Sequence, residues 1–408
     1  MIKVLGSSWA LLLGVMLLMV GNGMQGSLLG IRGGIEGFST TQMSWVMSAY
    51  FLGFLFGSRM TPLIIRRVGH VRVFAALGTM ISAVLVMYPV LTDVWAWAVL
   101  RVMIGFCFSG VYITAESWLN NAASNETRGQ AMSAYMIVQM LGIVAGQGLL
   151  NVADPGGVLL FILPSVLVSL AFTPMLLAAT PTPVFESITP LSFRQLFRIS
   201  PLGCLGMLTT GGMYSAMFGM AAVWGTAQGL SVGQISVFVA AMYVGGLVFQ
   251  YPVGWLSDRT DRRRLILWLS IAGAVLMGAT FAVELPFALL VVSSLILGGV
   301  TNPLYALLIA YTHDFLRKED MASASAGLIF LNGGGAIFGP VVTGWMMGVL
   351  GPQAFFLFIG LMFAGLSVYA AWRMTRRASP APGASFAPVL PSASVVAVEA
   401  VRDRPAAS

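Results

Sequence analysis

Hydrophobic residues follow one another in long runs along most of the chain, and short polar stretches separate the runs. A helix that crosses a bilayer needs about 20 apolar residues, whereas a strand of an outer-membrane barrel alternates polar and apolar residues over about ten positions. The pattern therefore predicts an all-α membrane protein with twelve transmembrane helices. We expect the spans at about residues 9–31, 42–65, 73–92, 95–119, 131–151, 157–179, 202–227, 233–256, 265–283, 287–311, 322–349 and 353–372.

The first run resembles a signal peptide, because Lys3 precedes an apolar segment. It is too long for one, and no A-x-A-like cleavage site follows it. We therefore interpret it as helix 1. Across the whole sequence 58% of residues are hydrophobic and only 9% are charged, which fits a membrane protein better than a soluble domain.

The positive residues outside the spans fall almost entirely on one side of this topology. If both termini are cytoplasmic, the short loops rich in Arg lie inside and only Arg32 lies outside. Lys and Arg in short loops stay on the cytoplasmic side, so we expect a multi-pass protein of the cytoplasmic (inner) membrane. The net charge of +7 then faces anionic head groups and does not indicate a nucleic acid partner.

The chain resembles itself at an offset of about 192 or 193 residues. "YFLGFLF" at 50–56 is similar to "YVGGLVF" at 243–249, and "GFCFSGVY" at 105–112 is similar to "GGVTNPLY" at 298–305. Two six-helix halves in parallel orientation are the simplest explanation. We expect an N-terminal half at 1–180, a cytoplasmic linker at 181–201, a C-terminal half at 202–375 and a disordered cytoplasmic tail at 376–408.

Two charged loops occupy corresponding positions in the halves, "PLIIRRVGHVR" at 62–72 and "GWLSDRTDRRR" at 254–264. A G-x-x-x-D-R-x-G-R-R loop after the second helix of each half is typical of the major facilitator superfamily (MFS), which the chain resembles over about residues 1–375. "AESWLNNAASNETRGQAMSAYMIV" at 115–138 and "PLYALLIAYTHDFL" at 303–316 resemble its YcaD-like branch.

The resemblance implies a secondary transporter that rocks two halves around a central substrate site. In the first loop Pro62, Arg66 and His70 depart from the superfamily pattern, and "LGIVAGQG" at 141–148 lacks the Gly-Pro signature of its antiporters. A drug/proton antiporter is therefore disfavoured. A non-transporting membrane receptor or scaffold remains as the alternative.

Ionisable side chains inside a bilayer are expensive and need a partner or a watery cavity. Arg59 lies close enough to the cytoplasmic end of helix 2 to extend its charge toward water. Arg101 in helix 4 matches an Arg of many superfamily members, and we expect it to attract an anionic group of a substrate. Glu116 either pairs with Arg67 in a gate, carries a coupling proton or serves packing.

Polar residues near the middle of the predicted helices are the other candidates for the substrate site. Buried Asn and Thr often only bond neighbouring helices, so each has a structural alternative. Their helices line the central cavity in the resembled superfamily. The predicted substrate-binding residues are Asn22, Gln25, Arg101, Thr210, Tyr214, Asn302, Tyr305 and Asn332.

Charged residues at the cytoplasmic helix ends predict a gate between the halves. A helix start favours an acid, so we expect Asp258 to lie at the start of helix 5. Arg66 would lie at the start of helix 11, where a cation is unfavourable, so we expect it to pair with Glu319 or Asp320 in "KED" at 318–320. The alternative is that these charges only enforce orientation. The predicted gating residues are Arg66, Arg67, Glu116, Arg128, Asp258, Arg259, Arg262, Asp314, Glu319 and Asp320, with Asp314 beside Arg259 or Arg262 and Arg128 near Asp258.

Motifs for catalysis or cofactor binding are missing from the sequence. Two histidines cannot form an H-E-x-x-H zinc site, and no G-x-x-x-x-G-K-[ST] phosphate loop occurs. Both cysteines fall inside predicted spans, so no disulfide framework is expected. We therefore expect no enzyme activity, no cofactor and no metal. The expected partners of a monomeric protein are a small-molecule substrate, the lipid bilayer and, as a further option, a coupling proton.

Overall fold

The structure is a computed structural model that describes residues 2–122, 128–177 and 192–376 and, in the tail, Phe386, Val389, Leu390, Ser394, Ala397 and Val398. The described chain folds into helices without strands. Their bounds are α1 Ile2–Ile35, α2 Thr40–Val68, α3 His70–Met87, α4 Val94–Ala122, α5 Arg128–Leu149, α6 Leu159–Leu177, α7 Phe193–Ile199, α8 Pro201–Ala227, α9 Val232–Ser257, α10 Arg262–Ala282, α11 Phe287–His313, α12 Lys318–Leu350 and α13 Ala354–Arg376.

The twelve long helices correspond to the twelve predicted spans, so the all-α fold is confirmed. Helices α1 to α6 are the predicted helices 1 to 6, and α8 to α13 are the predicted helices 7 to 12. Ten of them are long and apolar enough to cross a membrane by length and composition. The other two are α6, whose apolar part at Leu159–Pro174 is shorter, and α8, which is rich in glycine and mostly buried.

The second helix of each half begins with the same local structure. The Ser39 hydroxyl accepts a hydrogen bond from the Gln42 backbone N–H, and the Gln42 side chain accepts one from the Ser39 N–H. Ser231 and Gln234 form the same reciprocal pair at the start of α9. Such a capping box satisfies two backbone donors that the first helical turn leaves unpaired.

Close helix contacts repeat in the two halves as well. A Cβ atom added to Gly53 in α2 would overlap the Val102 carbonyl oxygen in α4, and one added to Gly245 in α9 would overlap the Leu295 carbonyl oxygen in α11. Glycine lets two helix backbones approach this closely. The predicted repeat is thus present in the packing, although the proposed domain boundaries stay a prediction.

Each half is assembled by the same helix pairs. In the first half α1 packs on α5 and α6, α2 on α4, and α3 on α4 and α6. The corresponding pairs in the second half are α8 with α12 and α13, α9 with α11, and α10 with α11 and α13. The halves meet where α2 packs on α12, α5 on α9 and α1 on α8.

The bundle has two ends, because consecutive long helices run in opposite directions. The α1–α2 end holds the loop between α1 and α2, and the α2–α3 end holds the loop between α2 and α3. The described hydrogen bonds between helices of the two halves include two at the α1–α2 end, where the Thr40 hydroxyl donates to the Gly344 carbonyl over 3.4 Å and the Asn151 amide donates to the Ser236 hydroxyl over 3.4 Å. The two halves are therefore joined at the α1–α2 end.

Large apolar side chains are exposed on the outside of the bundle, including Trp45, Trp95, Trp268 and Trp345. The rings of Trp45 and Trp95 stack with centroids 5.7 Å apart near the α1–α2 end. Aromatic residues concentrate where a membrane protein meets the head groups. This outer surface suits lipid rather than water.

In its described residues, 192–201, the predicted linker contains a short helix, α7, which begins at a capping box formed by Ser192 and Gln195. Its Phe193 and Phe197 side chains are exposed, and Leu196 is buried. Residues 178–191 of the linker lie outside the described part of the chain. So does most of the predicted disordered tail, and its disorder stays a prediction.

Candidate functional site

A guanidinium group is buried about two turns from the start of α4. The Arg101 side chain is 4% exposed. Its Nη1 donates to Gln25 Oε1 over 2.9 Å, its Nη2 lies 3.4 Å from Met47 Sδ, and its guanidinium carbon lies 4.8 Å from the centre of the Tyr50 ring. The described residues place no carboxylate in an ion pair with it. All the described contacts of this cation are with neutral groups.

Hydrogen bonds continue from Arg101 into the first half. The Gln25 amide nitrogen donates to Asn22 Oδ1 over 3.0 Å, and the Asn22 amide nitrogen donates to the Tyr112 hydroxyl over 3.0 Å. The Tyr112 hydroxyl in turn donates to Met19 Sδ over 3.3 Å. Two predicted site residues, Asn22 and Gln25, therefore belong to one polar cluster with Arg101.

Several buried polar atoms of the candidate residues have no hydrogen-bond partner among the described residues. They are Nε of Arg101, Oδ1 of Asn302 and the hydroxyl of Tyr305. An unpaired buried polar group costs about 1–3 kcal/mol, and a hydrogen bond to water or to a ligand would remove that cost. Asn302 and Tyr305 lie on α11, which corresponds by the repeat to α4.

Two other candidate residues, Asn332 and Thr210, form hydrogen bonds within the second half. The Asn332 amide nitrogen donates to the Met207 carbonyl over 3.1 Å and to Thr210 Oγ1 over 3.4 Å. The Thr210 hydroxyl donates to the Gly206 carbonyl over 2.8 Å. These bonds tie α12 to α8, as the structural alternative for buried Asn and Thr expects.

Tyr214 is half-buried, and its ring packs on Phe218 with centroids 4.5 Å apart. Phe218 also packs on Tyr243, with centroids 4.2 Å apart. The structure thus brings Tyr214 into an aromatic row of the second half. It does not place Tyr214 in hydrogen-bond contact with the Arg101 cluster.

The sequence interpretation missed Tyr50 and Tyr112, which contact the Arg101 cluster. Both could have been found from the internal repeat. In the aligned segments Tyr112 corresponds to Tyr305, a predicted site residue, and Tyr50 corresponds to Tyr243. The four tyrosines therefore occupy two equivalent pairs of positions in the two halves.

At the α2–α3 end the second charged loop forms a buried ionic cluster. Arg262 Nη1 lies 2.5 Å from Asp314 Oδ1, and the two side chains are 4% and 5% exposed. Arg262 Nη2 also lies 3.4 Å from Asp258 Oδ1, and its Nη1 donates to the Ala310 carbonyl over 3.2 Å. Of the two predicted partners of Asp314, the structure selects Arg262. Arg259 is exposed, and its guanidinium lies over the Trp255 ring.

The predicted partner of Glu116 is not in contact with it. Glu116 is 0% exposed and its Oε1 accepts a hydrogen bond from the Tyr135 hydroxyl over 3.2 Å, whereas Arg67 is exposed on α2. Its other oxygen accepts the Ser394 backbone N–H over 2.8 Å. The described residues give Glu116 no cationic partner.

The other predicted gate pairs stay predictions. Asp320 lies 3.3 Å from Nη2 of Arg317, the residue just before α12, and Arg66 is exposed at the end of α2. The side chains of Arg128 and Glu319 are among those that the structure does not describe. Asp258 has Arg262 and the Phe386 backbone N–H as described partners.

In the described ranges no three or more His, Cys, Asp or Glu side chains come together in a group that could hold a metal ion. Cys107 and Cys204 are both buried as free thiols. The chemistry available to the candidate site is therefore that of one cation, amides and phenols.

Two similar six-helix halves, an apolar outer surface and a polar cluster between the helices define a polytopic membrane protein of the transporter class. The sequence model of the Major Facilitator Superfamily matches residues 11–202 and 202–407. The chain belongs to this superfamily, as its loops predicted.

Relatives and solved structures agree with this assignment. The chain is 26% identical over 362 residues to the MFS-type transporter YcaD of Salmonella arizonae, covering 86% of this chain and 91% of the relative. It is 26% identical over 344 residues to the MFS-type transporter Ent638_1421 of Enterobacter sp. strain 638, covering 83% and 88%. The predicted likeness to the YcaD-like branch is thereby confirmed.

The fold is that of solved transporters. A crystal structure of a point mutant of the nucleoside transporter NupG superposes with a TM-score of 0.76 at 16% identity, covering 90% of this chain and 99% of that one. A bacterial homolog to the human lysosomal transporter Spinster, in an inward-facing and occupied conformation, superposes with a TM-score of 0.72 at 15% identity, covering 91% and 98%. At these identities the likeness concerns the fold.

Proposed function

We propose that the protein is a secondary active transporter that moves a small molecule with an anionic group across the cytoplasmic membrane by alternating access. The observation that carries this proposal is the buried Arg101 guanidinium, which no described carboxylate neutralises. A charge inside a membrane protein without a partner is a functional-site hypothesis by default. A carboxylate or phosphate of a substrate would supply the missing counter-charge.

The neighbours of Arg101 support a role in binding. Gln25 and Tyr50 hold the guanidinium from two helices, and its Nε has no partner among the described residues. Guanidinium groups bind carboxylate and phosphate through paired N–H donors. On α11 the unpaired Asn302 and Tyr305 atoms would contact polar groups elsewhere on the same molecule.

Alternating access is supported by where the halves touch. Two of the described hydrogen bonds between them lie at the α1–α2 end, which is the outer face if the positive loops are cytoplasmic. The conformation would then be closed to the outside. The solved structure of the Spinster homolog, which shares this fold, is likewise inward-facing.

The orientation can be tested with reporter fusions. A reporter after Ser379 and one within residues 185–198 should both read cytoplasmic. One periplasmic result would reverse the inside and outside assignment or break the helix count.

Substrate binding can be tested by thermal shift on the purified protein. We expect one or more members of a panel of small carboxylates and phosphates to raise Tm, because a ligand at a hundredfold excess over Kd stabilises by about 2.7 kcal/mol. Arg101→Gln should abolish the shift. Arg59→Gln is the matched control, because Arg59 is an exposed cation that lies over the Phe330 ring, 4.4 Å from its centre.

A neutral ligand that stabilises the Arg101→Gln variant as well as the wild type would contradict the anionic substrate. Uptake and exchange of the identified ligand in proteoliposomes then separate a carrier from a receptor, because a receptor binds without moving its ligand. Polar groups on α1, α4 and α11 favour the carrier. Exchange by the wild type and none by Arg101→Gln is the expected result.

A further inference from the structure

Part of the C-terminal tail is packed against the bundle, although its Pro, Ala and Ser content predicts disorder. The described residues of the tail, from Phe386 to Val398, form what we call the tail segment. Four of its apolar side chains are at most 5% exposed: Val389, Leu390, Ala397 and Val398. The sequence contains no charged residue from Phe386 to Val398. An uncharged segment with several apolar side chains is suited to such burial.

The start of the tail segment contacts the second half. The Phe386 backbone N–H donates to Asp258 Oδ1 over 2.7 Å, at the point where α9 ends. The Phe386 ring lies over Gly254, where an added Cβ would come within 2.6 Å of the ring. Because Gly254 has no side chain, the Phe386 ring can pack directly against the backbone of α9.

The middle of the tail segment contacts the first half. The Ser394 backbone N–H donates to Glu116 Oε2 over 2.8 Å. Glu116 lies in the last two turns of α4, at the same α2–α3 end as Asp258. A hydrogen bond from a backbone N–H to a carboxylate is about twice as strong as one between neutral groups.

We propose that the tail segment is an autoinhibitory strap that binds both halves at the α2–α3 end and holds them in the conformation closed at the α1–α2 end. Its two anchors are carboxylates from different halves, Glu116 and Asp258, and its apolar side chains lie among buried residues. Alternation requires the α2–α3 ends to approach each other, so a segment seated on both opposes that step. The effect on the cycle rests on the proposed transport function, whereas the docking itself does not.

Docking can be tested by a cysteine pair. In the double variant Gly254→Cys with Phe386→Cys, the new thiols should lie close enough for a disulfide, because removal of the ring makes room for the new Cβ. Mild oxidation of the full-length protein should give an intramolecular cross-link in most molecules. Gly254→Cys with Ser408→Cys is the control, and the native thiols are buried.

Negative charge introduced among the apolar residues of the tail segment should release this segment from the bundle. Val389→Asp with Leu390→Asp, added to the cysteine pair, should reduce the cross-link severalfold, because a carboxylate is costly to bury. Cross-linking no better than in the Ser408 control, or a cross-link between two molecules, overturns docking of the tail on its own bundle. These results need no substrate and are independent of the proposed transport.

The conformational effect can be read from Ser44, which is buried where α2 meets α12 at the α1–α2 end. A water-soluble maleimide should label Ser44→Cys severalfold faster when Ser394→Pro is added, because proline lacks the N–H that binds Glu116. Ser394→Ala keeps this N–H and should leave the rate unchanged. Equal rates in all three proteins, with the cross-link present, would overturn the strap and leave the transport proposal standing.

Discussion

The two charged loops occupy equivalent places in the two halves, yet they are held in different ways. In the second half the first residue of α10, Arg262, reaches the Ala310 carbonyl and the Asp314 carboxylate on α11. In the first half the equivalent residue is His70, whose Nε2 lies 3.1 Å from the Ser117 hydroxyl on α4. Ser117 stands where the second half has Ala310.

The described contacts of this helix junction differ in chemical type between the two halves. The ionic cluster of the second half has two acids around one buried Arg. In the first half the described contact at this place joins an imidazole and a hydroxyl, both buried.

The largest expected effect concerns the buried ion pair. Arg262→Gln leaves Asp314 without its described cation, and breaking a buried pair in this way costs about 3–5 kcal/mol. The exposed neighbour Arg264→Gln should change the unfolding free energy by less than about 0.5 kcal/mol. Unfolding in mixed detergent micelles measures both. Equal losses for the two variants would remove the distinction between the loops.

Much of this comparison was visible in the sequence. The twelve helices follow from apolar runs, and the departures at Arg66 and His70 from the superfamily loop indicated that the first junction differs. The partners could not be predicted, because His70 meets Ser117 only after α3 packs on α4. Helix α7 was missed as well, although its Ser192 and Gln195 have the spacing of a capping box.

The candidate site was predicted in the same partial way. A charge inside an apolar span identified Arg101 directly. Its contacts with Met47 and Tyr50 depend on how α2 packs against α4, which a single sequence does not specify. Asn332 satisfied the same polarity criterion but bonds to the backbone of α8, because polarity alone does not distinguish a ligand-binding amide from one that joins helices.

A smaller effect is expected in the first half. Ser117→Ala removes one partner of the buried His70 ring, and an unmet buried hydrogen bond costs about 1–3 kcal/mol. Thr79→Ala on the exposed face of α3 is the control, since its hydroxyl bonds only to the Ala76 carbonyl among described groups. Unfolding should show a loss below that of Arg262→Gln. A loss as large as that of the ion pair would mean that the two junctions are equally strong.

The third expected effect tests whether Arg66 takes part in a gate when the α2–α3 end closes. An exposed ion pair contributes at most about 1 kcal/mol, so Arg66→Asp should slow exchange about fivefold. Asp320→Arg should restore part of the rate. Arg72→Asp in the same loop is the control for charge alone. If normally inserted Arg66→Asp protein is not rescued, the specific pairing with Asp320 is excluded.

The smallest expected effect on stability compares two carboxylates near the ends of equivalent helices, Glu116 on α4 and Asp314 on α11. Asp314 neutralises Arg262, whereas Glu116 accepts hydrogen bonds from Tyr135 and Ser394. Glu116→Gln keeps an oxygen acceptor, so it should change the unfolding free energy by less than about 1 kcal/mol. Asp314→Asn should cost several times more, because it removes the buried acid that lies nearer to the buried Arg262 cation.

Glu116→Gln, compared with Glu116 in protein that carries Ser394→Pro and so lacks the tail contact, separates the other roles proposed for this residue in transport. If Glu116 pairs with Arg67 when the α2–α3 end closes, the neutral amide weakens the closed state, and gradient-driven uptake and exchange should fall together. A coupling proton is needed only for uptake against a gradient, because exchange moves substrate in both directions without net proton flow. Both rates are measured in proteoliposomes with the anion found by thermal shift. Exchange that survives while gradient-driven uptake disappears would replace the gate by proton coupling.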